Sequence, residues 1–141
     1  MEASTFYSPA KTADFRIRTF HEKEPETLEW IDSINEDEVF WDIGANISIY
    51  SLYAAIRGLR VLSFEPSPAN YHLLNSNIEK NCLNHSISAY CLAFSEKTEL
   101  GSFYMSSTEA GSALNSFGEA VDWQGKPYDP AMRQGMIACH R

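Results

Sequence analysis

Long apolar runs, cysteine pairs and an excess of basic residues are all missing from this sequence of 141 residues. No stretch of about eighteen consecutive apolar residues occurs, which predicts that the chain does not enter a membrane. The net charge of −8 disfavours nucleic acid as a partner, because phosphate backbones are bound by clusters of lysine and arginine. The three cysteines form no CxxC pair and the first residues carry no apolar signal segment, so we expect reduced thiols in a cytoplasmic protein.

The hydrophobic fraction and the length of the chain are typical of one soluble domain. The chain is 44% hydrophobic and long enough to bury one core. Its acidic residues crowd residues 22–38, where a solvated helix face is favoured over an acidic docking surface. The four histidines are scattered, so no metal site is predicted.

The first 38 residues are interpreted as an N-terminal extension. Apolar and basic residues alternate over residues 15–19, which predicts a short edge strand. Pro25 suits the first turn of a helix, and the apolar stripe of Leu28, Ile31 and Ile34 predicts an amphipathic helix over residues 25–34.

Residues 39–94 alternate between buried-strand and helical patterns. Apolar runs over 39–44, 61–65 and 87–94 predict strands, and the first run is typical of a strand buried on both faces. The spacing of Ile49, Leu52, Tyr53 and Ile56 predicts a first helix, which Gly58 ends. A second helix follows the pair Ser67-Pro68 and ends near residue 81, and Cys91 is expected in the core. The pattern predicts an α/β fold with a βαβαβ half of a doubly wound, mostly parallel, Rossmann-like sheet.

The regular alternation of strand and helix patterns ends after Ser95. Residues 100–105 are compatible with a further strand, whereas residues 106–118 and 122–135 are rich in Ser, Gly and Pro and are predicted as loop. A half-sheet leaves an edge uncovered, so we expect self-association through that edge and a sheet that is incomplete at the C-terminus.

Two positions at the ends of the predicted strands indicate a nucleoside site. Asp42-Ile43-Gly44-Ala45-Asn46 lies where the first strand ends, and Gly44 allows a tight turn and close approach of a ligand. Glu65 ends the second strand about 20 residues later, which is where an acid accepts hydrogen bonds from ribose hydroxyls.

The residues after Gly44 restrict which nucleoside ligands the site could bind. Asn46 and Ser48 follow it, so the GxGxxG pattern of dinucleotide sites is absent, and no P-loop occurs. The remaining candidate is S-adenosylmethionine, whose ammonium Asp42 could receive directly or through water, while helix N–H groups bind the carboxylate.

The same residues carry a resemblance to a known family. Residues 40–51, FWDIGANISIYS, resemble the first motif of the FkbM family of S-adenosylmethionine-dependent methyltransferases. Residues 61–81 resemble its second block, residues 93–95 the turn where that family places adenine, and residues 111–114 a later small-residue segment. The resemblance covers roughly residues 35–137, and implies a partial class I methyltransferase domain over residues 39–141.

What the resemblance implies is O-methyl transfer to a hydroxyl of a small molecule or glycan. The implied cofactor-binding residues are Asp42, Gly44, Ala45, Asn46, Tyr50, Glu65, Pro66, Ser67 and Ala93. No catalytic residue is implied, since the acceptor side of such enzymes follows the matched region.

Two departures from the family pattern bear on this expectation. Ser48 replaces a usual Gly, which is tolerable if its φ is negative. Residues 133–136 would lead into a further helix, followed by the last strands, so the chain is interpreted as the N-terminal two-thirds of such an enzyme.

Two other functions stay open. A non-catalytic nucleoside-binding remnant would keep the cofactor half-site without the chemistry. A NAD-binding oxidoreductase domain is disfavoured by the missing GxGxxG.

Overall fold

A computed structural model describes residue 6, residues 11–130 and residues 136–139 of the chain. The helices in this part are α1 (Lys11–Lys23), α2 (Pro25–Asp32), α3 (Ile49–Ile56) and α4 (Pro68–Lys80). The strands are β1 (Val39–Ile43), β2 (Arg60–Phe64), β3 (Ile87–Tyr90), β4 (Gly101–Tyr104), β5 (Ser116–Phe117) and β6 (Met136–Cys139). None of the helices described is long and apolar enough to cross a bilayer.

The first sheet is parallel, with strand order β1-β2-β3. Phe40, Val61 and Ile87 are neighbours in register and point to one face of this sheet. Leu52 of α3 and Leu74 of α4 are fully buried against that face, in one core cluster with these three residues. The predicted βαβαβ unit and α/β class are thereby confirmed, and this unit is half of a Rossmann-like sheet.

Local signals set the helix boundaries in this unit. Gly58 follows α3 with φ +97°, the left-handed conformation that ends helices, and its N–H donates to the Ala55 carbonyl at 3.0 Å. Ser67 and Pro68 begin α4 as expected, although the Ser67 hydroxyl makes no capping bond. The third strand is shorter than predicted, and Cys91, expected in the core, is exposed just beyond it.

The predicted edge strand over residues 15–19 is wrong, because these residues belong to helix α1. Ala13 and Ile17, four residues apart, pack in one apolar cluster beside Ile47 and Leu73, whereas Phe15 is exposed. The contacts therefore follow the helical period of i, i+4 and not the alternation of a strand. Helix α2 lies where predicted, and its Ile31 belongs to the main core.

The second face of the parallel sheet carries exposed aromatic residues. Trp41 is 53% exposed, and its ring contacts Phe64 and Phe94 at centroid distances of 5.5 and 6.3 Å. Phe64 also stacks on Tyr90 at 5.3 Å. Burial along β1 alternates between exposed and buried, so the expectation that β1 is buried on both faces is wrong for the part of the chain described.

We propose that this aromatic face, together with the outer edge of β1, supports self-association. Within the described ranges β1 pairs only with β2. Replacing Trp41 by Lys is expected to weaken self-association by about ten- to a hundredfold, since burying one large apolar side chain contributes about 1.5–3 kcal/mol. Sedimentation over a concentration series measures this, and Trp123→Lys, at a residue 71% exposed in a loop, is the matched control. Equal association constants for the two variants would contradict the proposal.

A second, antiparallel sheet has the strand order β5-β4-β6. Strand β4 confirms the strand predicted over residues 100–105, and Phe103 and Met105 are buried there beside Phe117. The segment 106–118, predicted as loop, contains the two-residue strand β5. The resemblance implies a helix after residues 133–136, but Met136–Cys139 form a strand paired with β4; residues 131–135 lie outside the described residues.

Candidate functional site

The candidate site lies at the carboxyl edge of the parallel sheet, where β1 and β2 each turn into a helix. Gly44 adopts φ +81°, and the N–H groups of Gly44 and Ala45 both donate to the Phe64 carbonyl, at 2.8 and 3.0 Å. The turn after β1 is thus fixed to the end of β2. Ligands of open α/β sheets bind at this edge, as the sequence predicts here.

Ser48 completes the turn with φ +83°, so the condition under which a serine is readily tolerated here, a negative φ, is not met. It is fully buried, and its hydroxyl donates to the Ile47 carbonyl. A left-handed conformation brings a Cβ too close to the neighbouring carbonyl, so a serine at this position is strained where a glycine would not be.

Replacing Ser48 by Gly is therefore expected to stabilise the fold by up to about 1.6 kcal/mol. Relief of the left-handed strain gains about 1–2 kcal/mol, and the greater freedom of an unfolded glycine offsets about 0.4–1 kcal/mol of it. Urea unfolding measures the difference. Ser48→Ala keeps the Cβ and should give no gain; equal stabilities of the Gly and Ala variants would count against strain at this turn.

Glu65 links the two turns through both of its carboxylate oxygens. Its Oε2 accepts from the Asn46 N–H at 2.8 Å, and its Oε1 accepts from the Ser67 N–H, also at 2.8 Å. The side chain is 4% exposed, and burial raises its pKa, against the lowering effect of these hydrogen bonds. A carboxylate has about four lone-pair positions, so Glu65 keeps acceptor capacity for a ligand hydroxyl.

Two asparagines extend this network to a distant segment of the chain. The Nδ2 groups of Asn46 and Asn70 both donate to the Ser112 carbonyl, at 2.9 and 3.0 Å. Asn70 also approaches Glu65 Oε1 at 3.4 Å and accepts from the Gly111 N–H at 2.7 Å. The Oδ1 atom of Asn46 is buried and has no hydrogen-bond partner, which marks a place for a donor group.

A cavity of about 220 Å³ opens among these side chains. Its lining residues are Gly44, Asn46, Glu65, Pro66, Asn70, Phe103, Ser112, Ala113, Leu114 and Asn115. Sites for ligands of drug size usually enclose about 300–1,000 Å³, so this cavity is small for a whole nucleoside cofactor. Another cavity, of about 380 Å³, lies beside the amino end of β1 and is lined by Trp30, Glu38 and Trp41 among others.

Asp42 is not among the residues that line the site cavity. It is 9% exposed and accepts from the Ser51 hydroxyl at 2.6 Å, and that hydroxyl lies 2.7 Å from the Ser63 hydroxyl. Burial raises the pKa of Asp42, against the lowering effect of hydrogen bonds from the Ser51 side chain and backbone. This carboxylate therefore holds the first turn of α3 from behind the site.

The raised pKa values of Asp42 and Glu65 predict an unusual pH dependence of stability. The folded chain holds these protons at pH values where the unfolded chain, near 3.8 for Asp and 4.5 for Glu, has released them. Stability should therefore rise as the pH falls from neutral towards those ordinary values, and fall as the pH rises through the raised ones. Thermal melts between about pH 5 and 7 measure this.

Asp42→Asn should flatten the pH profile, because the neutral side chain carries no desolvation cost. Asp37→Asn, at an exposed residue, makes the same change of net charge and should leave the slope nearly as it is. A melting temperature that falls steadily from pH 7 to pH 5 in the unmodified chain would refute the prediction.

Of the other predicted site residues, two lie at the cavity and two lie away from it. Pro66 lines the cavity, and Ser67 contributes its N–H to Glu65. Tyr50 donates its hydroxyl to Glu24 at 2.9 Å, and Ala93 is buried; neither lines the cavity.

Sequence reasoning missed Asn70 as a site residue. The available signal was its position five residues after Glu65, in the first turn of a helix that begins at the sheet edge. Residues 111–114 were singled out only by the family resemblance, and Phe103 and Asn115 carried no signal.

Comparisons with known proteins give partial structural similarity only. No model of a protein family matches the chain, and no curated protein matches it. Among solved structures, the chain is similar to P. horikoshii TYW2 in complex with MeSAdo, with 27% identity and a TM-score of 0.45 over 49% of this chain and 26% of that one. It is also similar to a SAM-dependent methyltransferase from Agrobacterium tumefaciens, with 19% identity and a TM-score of 0.43 over 48% of this chain and 23% of that one.

The matched region is thus about a quarter of the length of either protein. The functional assignment therefore rests on the site itself.

Proposed function

We propose that the chain binds S-adenosylmethionine and that it forms the cofactor-binding part of a methyltransferase. The observation that carries the proposal is the placement of Glu65 beside the Gly44–Asn46 turn, at the carboxyl edge of two adjacent parallel strands. An acid at the end of the second strand accepts hydrogen bonds from ribose hydroxyls, and a tight glycine turn lets the ligand approach the backbone.

The residues present fit such a ligand. Glu65 has acceptor capacity beyond its two backbone partners, and the buried Asn46 Oδ1 lacks a donor that a ribose hydroxyl could supply. Gly44 leaves open space where a Cβ would stand, so the turn presents its backbone to the cavity. When bound, S-adenosylmethionine supplies a methyl group on a sulfonium, which is already activated for transfer.

The protein's own contribution is to bind and orient. Glu65 and Asn46 would hold the ribose, and the turn at Gly44 would hold the remainder of the ligand close to the backbone. We assign Asp42 a positioning role through Ser51, because its side chain lies behind the turn and outside the cavity lining.

We further propose membership of the FkbM family and O-methyl transfer to a hydroxyl of a small molecule or glycan. The support is the resemblance of residues 40–51 and 61–81 to two family motifs. Transfer to a hydroxyl requires removal of its proton, in which a general base would assist. No residue of this chain is assigned that role.

A nucleoside-binding module without chemistry is the second candidate. It is favoured by the small volume of the cavity, about 220 Å³, which residues 112–115 help to line. A NAD-binding domain is disfavoured, since Asn46 and Ile49 stand where the second and third glycines of GxGxxG would fall if Gly44 were the first.

Calorimetric titration of the full chain tests the proposal. S-adenosylmethionine and S-adenosylhomocysteine are expected to bind with one site each, and NAD is expected to bind more weakly or not at all. Preference for NAD over S-adenosylhomocysteine would replace the proposed function by the oxidoreductase alternative. Binding without methyl transfer to any acceptor hydroxyl would favour the module without chemistry.

A further inference from the structure

The Ser112 carbonyl occupies a position in the site that suits a ligand oxygen. It accepts hydrogen bonds from the amides of Asn46 and Asn70, at 2.9 and 3.0 Å, and Asn70 in turn lies beside Glu65. These contacts join residues that are 66 and 42 positions apart in the sequence. The two amides therefore converge on one acceptor next to the carboxylate.

A carbonyl satisfies only part of this constellation. It accepts from the two Nδ2 groups but donates nothing, and the buried Oδ1 of Asn46 is left without a donor. A hydroxyl group both donates and accepts, so it could replace the carbonyl and also serve Asn46 Oδ1 or Glu65. The set of two amide donors, one amide acceptor and one carboxylate matches a vicinal diol such as that of ribose.

Residues 111–115, here named the strap, hold the carbonyl in this position. Its first residue donates from the Gly111 N–H to Asn70 Oδ1 at 2.7 Å. On the far side, the Ser106 hydroxyl donates to the Ala113 carbonyl at 2.6 Å, and the Ser106 N–H donates to Asn115 Oδ1 at 2.9 Å. The strap also lines the cavity, whose volume of about 220 Å³ is small for a nucleoside.

We propose that the strap occupies the ribose subsite, and that Asn46 and Asn70 exchange the Ser112 carbonyl for ribose hydroxyls when the ligand binds. This inference rests on the proposed function and adds two recognition residues and a closed state to it. The closed strap competes with the ligand, so the apparent affinity is reduced by the fraction of chains in which the strap is open.

Gly111→Ala is expected to loosen the strap while the side chains proposed to bind ribose stay unchanged, although the Gly111 N–H is bonded to Asn70 Oδ1. Gly111 has φ +89°, and an added Cβ would lie 2.7 Å from the Ala13 backbone nitrogen. The matched control is Gly118→Ala, at a glycine with a similar φ of +84° but open space around the added Cβ. Ser106→Ala is a milder second variant at an exposed position, which removes the hydroxyl bond to the Ala113 carbonyl and the longer one, of 3.4 Å, to Asn115 Oδ1 but keeps the Ser106 N–H bond to Asn115.

The experiment measures the affinity and association rate of S-adenosylhomocysteine for the full chain and the three variants. Gly111→Ala is expected to bind about five- to thirtyfold more tightly, because the strain of the added Cβ shifts the equilibrium from the closed to the open strap by about that factor. The gain is expected in the association rate. Ser106→Ala should bind more tightly by a smaller factor, and it decides the question if Gly111→Ala does not fold. Gly118→Ala should bind like the unmodified chain.

Failure of the inference differs from failure of the proposed function. If S-adenosylhomocysteine binds but Gly111→Ala and Ser106→Ala bind equally well or more weakly than the unmodified chain, the strap does not compete and the inference is overturned. If S-adenosylhomocysteine binds neither the folded unmodified chain nor any folded variant, the proposed function is overturned and the inference falls with it. Amide hydrogen exchange gives a second readout, since ligand should increase exchange at residues 111–115 and reduced exchange there would overturn the inference.

Discussion

Glu65→Ala is expected to weaken binding of S-adenosylhomocysteine by about ten- to over a hundredfold. Hydrogen bonds to a charged group contribute about 1.5–3 kcal/mol, which corresponds to that range of affinity. The same change removes the acceptor of the Asn46 and Ser67 N–H groups, each of which is bound at 2.8 Å. Leaving buried donors unpaired costs about 1–3 kcal/mol each, so the fold should lose stability as well.

Calorimetry and a thermal melt on the same sample separate the two effects of Glu65→Ala. The titration is done well below the melting midpoint of the variant, so that the lost affinity belongs to the folded chain. Glu79→Ala, at an exposed position of α4, removes a carboxylate outside the site and should change neither quantity appreciably. An unchanged affinity in folded Glu65→Ala would remove Glu65 from the ligand site.

Asn77→Ala is expected to destabilise the fold by about 2–6 kcal/mol. Asn77 is fully buried, and its Nδ2 donates to the Ile47 carbonyl at 2.9 Å, which ties α4 to the turn before α3. Its loss would leave that carbonyl without this donor and create a cavity, and each of these costs about 1–3 kcal/mol. Since the turn carries Gly44 and Asn46, ligand affinity should fall with stability.

The matched control for Asn77→Ala is Asn75→Ala on the same helix. Asn75 is exposed and donates to the Tyr71 carbonyl at 2.8 Å, so its loss should cost less than about 1 kcal/mol. Urea unfolding of both variants gives the comparison. Equal losses at the two positions would show that the buried bond to Ile47 does not hold the turn.

The parallel unit could be predicted because its signals are local. Apolar runs of five residues, a helical spacing and a Gly58 or a Ser67-Pro68 pair each lie within one element, and the order of these elements limits the sheet topology. That one face of β1 is exposed, among the residues the structure describes, could not be predicted in this way, because an apolar run does not reveal what packs on it.

The predictions that were wrong concern short segments whose residue pattern is compatible with two backbone conformations. Over residues 15–19 the alternation of apolar and basic residues suited a strand, but Ala13, which lies outside the alternating run, completes the i, i+4 contact of a helix. Serine rarely adopts the left-handed conformation, so its residue type gave no sign of the φ of +83° that the turn has at Ser48.

The position of the site at the sheet edge could be predicted from the sequence, but its long-range hydrogen bonds could not. Gly44, Asn46 and Glu65 follow strand ends, and the chain order alone brings such ends to one edge of the sheet. Asn70 and Ser112 meet across 42 positions, and no periodicity or spacing signals such a contact. Asp42 lies within β1, the strand that Gly44 and Asn46 follow, and alternation turns its side chain to the buried face.

The central claim is that a nucleoside cofactor binds between the Gly44 turn and Glu65, and amide chemical shifts of the labelled chain test it most directly. On addition of S-adenosylhomocysteine, the largest shifts are expected at Gly44, Ala45, Asn46 and Ser67 and in the strap of residues 111–115, with smaller changes at Cys82, which lies beyond the end of α4. Shifts centred on the cavity beside Trp30 and Glu38, or no shifts in a folded chain, would contradict it.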